Sequence, residues 1–161
     1  MSKFALVTGA TSGIGRAFAE RLAGDGYDLV IVGRRRERLE AFADAHLDVK
    51  VRVVAADLST GAGVDTVAGI CATEPLTMLV NSAGVAHYMP LAELPADKAR
   101  ELVNVKVLAP TMLTRAVVAG MRQRGEGTVI NVAVPSGRRA PNSPRATAPP
   151  GTERQGLPPP A

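Results

Sequence analysis

The chain has 161 residues, 46% hydrophobic and 21% charged, with 3% aromatic and no Trp. That composition excludes a chain disordered throughout and leaves room for one α/β domain whose core rests on Val, Leu, Ile and Ala. The formal charge of +4 does not indicate a nucleic-acid partner: residues 1–136 carry 15 Lys/Arg against 14 Asp/Glu, most of the surplus lies beyond them, and no basic stripe interleaved with aromatics is present. Cys71 is the single cysteine, which leaves no intramolecular disulfide and no metal-ligand pair, so we expect no metal and a reducing compartment. No apolar run approaches 18 residues and no charged leader precedes an apolar stretch, so the expectation is a cytoplasmic chain with no membrane partner.

In chain order, the apolar run Phe4–Thr8 predicts a first strand, and a helix-period stretch is predicted over Ile14–Ala23, stopped by Gly24, Asp25 and Gly26. Strands are then predicted at Leu29–Val32, Val51–Ala55, Met78–Val80 and Thr128–Val132, each short and apolar on both faces. Between them helices are predicted at Arg35–Ala45, Val64–Cys71, Lys98–Lys106 and from about Ala109 to Arg124, the last stopped by Gly125, Glu126 and Gly127. Repeated βαβ alternation of this kind makes a doubly wound parallel sheet of the Rossmann type, here incomplete at about five strands, occupying residues 1–134.

Between the first strand and first helix runs Thr8-Gly9-Ala10-Thr11-Ser12-Gly13-Ile14-Gly15. Gly9, Gly13 and Gly15 allow a tight turn, close approach to a pyrophosphate and close helix-strand packing, while the helix N-terminus offers N–H donors and a favourable dipole. A phosphate of a dinucleotide is expected there.

The spacing Gly-x-x-x-Gly-x-Gly, with the Thr before it and the Ile within it, resembles the fingerprint of the short-chain dehydrogenase/reductase family. Three further stretches match that family in order: Asp57-Leu58 after the third strand resembles its adenine-contacting Asp, Asn81-Ser82-Ala83-Gly84 resembles its Asn-Asn-Ala-Gly motif, and Asn104 within Val103-Asn104-Val105 resembles its helix-kinking Asn. The resemblance covers residues 4 to about 132. It implies a nicotinamide cofactor held by Gly9, Thr11, Ser12, Gly13, Ile14, Gly15, Asp57, Leu58, Asn81, Ala83 and Gly84, with Asn104 supporting the active site. It also implies a small carbonyl or alcohol substrate and a family often homo-oligomeric.

The end of the second strand decides the cofactor type. An acid there would hold a ribose 2′-hydroxyl, but this chain has Gly33-Arg34-Arg35-Arg36. A guanidinium pairs with a 2′-phosphate that a carboxylate would repel, so NADP is expected over NAD, with Arg34 and Arg35 as its ligands and Ser12 and Arg16 as helpers. Arg36 and Arg38 read as a solvated helix start.

The resembled family uses a Tyr as general acid/base, a Lys four residues later that lowers the Tyr pKa, and a Ser that polarises the substrate carbonyl. A phenol of pKa about 10 needs such a neighbouring cation to exchange protons near neutrality. Here Tyr27 and Tyr88 are followed four residues on by Ile31 and Ala92, and Val134 stands where the Ser is expected, with Ser136 two positions late. His87 and Tyr88 read as an ordinary substrate-side loop. We therefore expect impaired catalysis in this chain.

Residues 137–161 contain seven Pro and four Arg and no β-branched aliphatic or aromatic residue, so residues 135–161 are expected to be a disordered tail. Their residue types are those of GC-rich codons, which points to a frameshift near codon 134; a neighbouring frame should then encode a Ser followed by Tyr-x-x-x-Lys. Loss of the later elements would bare an edge strand and an oligomer interface, and a marginal fold is expected. Two other functions compete: a non-catalytic NADP-binding module, and an interaction protein whose Arg138-x-x-Pro141-x-x-Pro144 presents a polyproline ligand.

Overall fold

The computed structural model describes residues 3–133. They form five parallel strands, β1 (Phe4–Thr8), β2 (Asp28–Gly33), β3 (Val51–Ala55), β4 (Met78–Asn81) and β5 (Thr128–Asn131), in the order β3-β2-β1-β4-β5. The connecting helices are α1 (Gly13–Gly24), α2 (Arg36–Asp44), α3 (Gly61–Thr73), α4 (Ala96–Val103) and α5 (Ala109–Arg124). The order reverses between β2 and β4 on either side of β1, which opens a crevice at the C-terminal ends of those strands. The architecture is the expected Rossmann-type parallel sheet. The tail predicted at 135–161, together with Val134 and Ser136, lies outside the described residues.

Both faces of the central strands are covered, as their unbroken apolar runs require. Leu6, Val30, Val32 and Leu79 point to one side and pack with Val64, Val67, Leu113 and Val117 from α3 and α5. Ala5, Val7, Leu29, Ile31 and Val80 point to the other and pack with Ala19, Leu22, Leu39 and Phe42 from α1 and α2. Cys71 belongs to the first layer, where burial pushes its thiol up to about 12. His46 stacks on Phe42 with ring centroids 4.1 Å apart, a packing role.

Two differences from the predicted elements have physical causes. Helix α3 begins three residues earlier than the apolar period indicates, because Thr60 Oγ1 accepts from the Gly63 backbone N–H at 3.1 Å and caps a glycine-rich first turn. A Cβ at Gly63 would collide with the Asp57 carbonyl, so the poor helix former is required there.

The second difference is larger. Instead of two helices, the chain makes one continuous helix over Ala96–Arg124, with a π-helical turn at Asn104–Leu108 joining α4 to α5. Pro110 explains the turn: it has no N–H to donate to the carbonyl four residues back, so the hydrogen-bond ladder must rearrange just ahead of it. The sequence shows no unbroken apolar run of 18 residues, yet this joined helix is long and apolar enough by length and composition to cross a membrane. Its inward side, Ala109, Leu113, Val117 and Met121, is packed in the core, while Val103, Val107 and Leu108 are exposed.

Candidate functional site

The loop between β1 and α1 is built by close backbone contacts. Gly9 has φ of +71°, and a Cβ there would stand 2.9 Å from the backbone of Ala83, so the loop after β1 lies directly against the loop after β4. A Cβ at Gly15 would meet the Gly9 carbonyl, its carbon at 2.7 Å, which brings the first turn of α1 onto the same loop. Thr8 completes the joint. Its buried Oγ1 accepts from the backbone N–H groups of Ser82 and Ala83, both at 3.0 Å, and donates to the Val80 carbonyl at 3.4 Å.

The start of α1 is open to an anion. Its N-cap, Ser12, makes no capping hydrogen bond, and no acidic side chain lies in the first turn. The first N–H groups of a helix have no partner within the helix, so they remain available to an anion. Ile14 is 56% exposed, a large apolar side chain in that turn which the core does not use.

The end of β2 supplies the cations. Arg35 Nη2 donates to Thr11 Oγ1 at 3.1 Å and to Ser12 Oγ at 3.4 Å, fastening the end of β2 to the loop after β1. A Cβ at Gly33 would stand 2.7 Å from Thr11 Cγ2, so this strand end is also closely packed on the loop. Arg34 extends to the opposite side, with its side chain 59% exposed and Nη1 3.7 Å from Glu101 Oε1.

After β3, Asp57 Oδ1 accepts from the Ser59 backbone N–H at 2.9 Å. Burial alone would raise the Asp57 carboxyl, but hydrogen bonds from the Ser59 backbone and hydroxyl, with the positive charge of Arg34, outweigh it and hold the carboxyl below its ordinary value.

These loops enclose a cleft of about 420 Å³. Of the residues singled out in the sequence, Gly9, Thr11, Ser12, Arg34, Arg35, Asp57, Leu58, Ala83 and Gly84 line it. Gly13, Ile14 and Gly15, at the start of α1, are not among the lining residues, and Gly13 and Ile14 are exposed. Val85, which no motif marks, also lines it, as does Val105 from the Val103-Asn104-Val105 stretch.

Three predicted residues are placed elsewhere. Asn81 is turned away from the cleft, its Nδ2 donating to Asn131 Oδ1 at 2.9 Å and to Thr114 Oγ1 at 3.3 Å, because β5 and α5 approach it on the other side. Asn104 heads the π-helical turn and donates from Nδ2 to the Ser59 carbonyl at 2.8 Å, tying that helix to the loop that carries Asp57. Arg16 forms an exposed ion pair with Glu20 at 2.8 Å along α1. Sequence reasoning also missed Glu101, which draws together its helix neighbour Lys98 with His87 and Arg34; the signal is spatial, since His87 and Arg34 come from other parts of the chain. Tyr88 is 98% exposed and touches none of this.

A family model described as short chain dehydrogenase matches residues 3–145. The chain belongs to the short-chain dehydrogenase family. Among its relatives, the very-long-chain 3-oxoacyl-CoA reductase of Mus musculus is 32% identical over 145 residues, covering 85% of this chain and 46% of the relative. The inactive hydroxysteroid dehydrogenase-like protein 1 of Pongo abelii is 31% identical over 136 residues, covering 81% and 41%. A short-chain dehydrogenase from Sphingobium yanoikuyae, solved in complex with NADPH, superposes with a TM-score of 0.76 at 35% identity, covering 78% of this chain and 51% of that one. This short-chain dehydrogenase chain thus spans less than half the length of those two sequence relatives.

Proposed function

We propose that the cleft binds NADP(H) in preference to NAD(H), that the chain descends from oxidoreductases of carbonyl or alcohol substrates, and that these 161 residues bind cofactor without completing turnover. The observation that carries the reading is the pairing of an uncapped α1 N-terminus with Arg34 and Arg35 at the end of β2. The first fits a pyrophosphate and the second a 2′-phosphate. Asp57 and Leu58 flank the expected adenine end; Ala83, Gly84 and Val85 extend toward the expected nicotinamide end. The similarity to a dehydrogenase solved with NADPH supports the assignment by analogy.

A bound nicotinamide would supply the hydride donor or acceptor. The chain's own residues bind and orient; none of them within reach of the cleft is a Tyr with a Lys four residues on. Both a reductase and a protein called inactive occur among the relatives, so membership of the family does not by itself decide turnover. The partner we propose is a small-molecule carbonyl or alcohol substrate, with no nucleic acid. The lone buried Cys71 suits a reducing, cytoplasmic setting.

The test is titration of the purified 161-residue chain with NADPH and NADH, by calorimetry or nucleotide fluorescence. NADPH should bind more tightly than NADH, and Arg34→Asp should weaken NADPH by at least about ten- to a hundredfold, the scale of a lost charge-assisted hydrogen bond. Equal binding of both nucleotides, or an unaffected mutant, sinks the NADP assignment. Turnover of a simple ketone by this chain would overturn the expectation of impaired catalysis.

A further inference from the structure

One anion at the cleft mouth has no part in the reading above. Glu101, on α4, keeps only 17% of its side chain exposed and faces two cations, Lys98 Nζ at 3.1 Å and Arg34 Nη1 at 3.7 Å, with the His87 ring beside it, Nε2 at 3.3 Å. Lys98 lies one turn back on the same helix, and His87 comes from the segment after β4. Arg34 reaches over from the end of β2, on the far side of the mouth. At 3.7 Å its contact with Glu101 is an ion contact without a directed hydrogen bond, and the rest of the guanidinium stays exposed.

We propose that Glu101 is an internal competitor for Arg34, a specificity-tuning residue that lowers affinity for the 2′-phosphorylated cofactor and leaves the unphosphorylated one unaffected. The proposal rests on the reading of Arg34 as the 2′-phosphate ligand.

The sign follows from charge alone. A phosphate monoester brings about −1.5 to −2 charges at neutral pH. To use Arg34 it must displace the Glu101 carboxylate, and it must then remain near that carboxylate, which repels it. Both effects weaken binding of the phosphorylated nucleotide, and neither acts on one that ends in a 2′-hydroxyl. Glu101 stays ionised throughout the neutral range: the hydrogen bond from Lys98 is the largest effect, burial opposes it, and the Lys98 charge with the His87 contact tips the balance, so the carboxyl is held below its ordinary value. Asp57 is the other carboxylate that Arg34 feels, but its Oδ1 is occupied by the Ser59 N–H. Glu101 is therefore the acid whose removal should release Arg34 with least disturbance.

The experiment measures dissociation constants of NADPH and NADH for the full 161-residue chain, its Glu101→Gln and Glu101→Asp variants, and Glu101→Gln combined with Arg34→Gln. Far-UV circular dichroism matched to the parent establishes that each variant is folded. Glu101→Gln should tighten NADPH about two- to fivefold at low salt, the scale of an exposed ion pair, with NADH unchanged. The gain should shrink as salt is raised past the Debye regime and vanish when Arg34 is also replaced. Glu101→Asp, which keeps the charge and draws it back by one methylene, should fall between and serves if the Gln variant does not fold. If the parent prefers NADPH but Glu101→Gln leaves or weakens that affinity, or tightens NADH equally, the competitor role is wrong and the cofactor assignment survives. If the parent does not distinguish NADPH from NADH, the cofactor assignment fails and the role of Glu101 fails with it.

Discussion

The sheet's centre and its β5 side are made from the same βαβ alternation, but they are held differently. At β1, β2 and β4 the strands are sealed on both faces, and the loops that leave them meet backbone against backbone, with Gly9 against Ala83 and Gly15 against Gly9. At β5 the strand ends Thr128 and Asn131 are exposed, its middle is only partly buried, and the neighbouring helix presents Val103, Val107 and Leu108 outward. The first region is determined by contacts that cannot shift. The second is determined by side-chain packing that leaves its outer surface uncommitted among the described residues.

Glycine substitutions should separate the two most sharply. Gly9 and Gly125 have nearly the same positive φ, +71° and +73°, but a Cβ at Gly9 meets the Ala83 backbone and one at Gly125 meets nothing within 4 Å. Gly125→Ala should cost about 1–2 kcal/mol, the left-handed backbone penalty alone. Gly9→Ala should cost that and the clash as well, about 3 kcal/mol or more in all. Urea denaturation of the two variants measures the difference, and equal costs would show that the central loops can separate.

A smaller effect is expected at the joint between β1 and β4. Thr8→Val keeps the shape but leaves the N–H groups of Ser82 and Ala83 without their acceptor. About 1–3 kcal/mol of stability should be lost in all, because Ser82 and Ala83 are only partly buried and water can replace part of the lost acceptor. A loss near zero by thermal or urea unfolding would mean that the loop after β4 is held by other contacts, and that the centre is less rigid than its geometry indicates.

Sequence made the centre readable because the features that build it are local. Glycine spacing, an apolar run and a helix start lie within a dozen residues, so strand, phosphate loop and helix follow from neighbours in the chain. The Arg34-Arg35 pair is placed at the end of β2 by the same local pattern, and both residues line the cleft. What was not readable is set by distance or by a single residue acting over several turns. The two predicted helices run on as one, and the π-helical turn that Pro110 imposes between them is not announced by the hydrophobic period. Asn81 sits in a motif expected to hold cofactor, yet its side chain is claimed by Asn131 and Thr114, 50 and 33 residues away. Glu101 appears as an ordinary helix acid until the fold brings Arg34 and His87 to it.

The central claim is that the cleft at the ends of β1, β2 and β4 is the cofactor site. Hydrogen-deuterium exchange with and without saturating NADPH tests it most directly, because the unpartnered amides at the start of α1 would become acceptor-bound. Slower exchange confined to residues 9–16, 34–35 and 82–85, and weaker with NADH, is the predicted result. Binding with no protection there, or with protection centred on β5 and α5, would contradict the account.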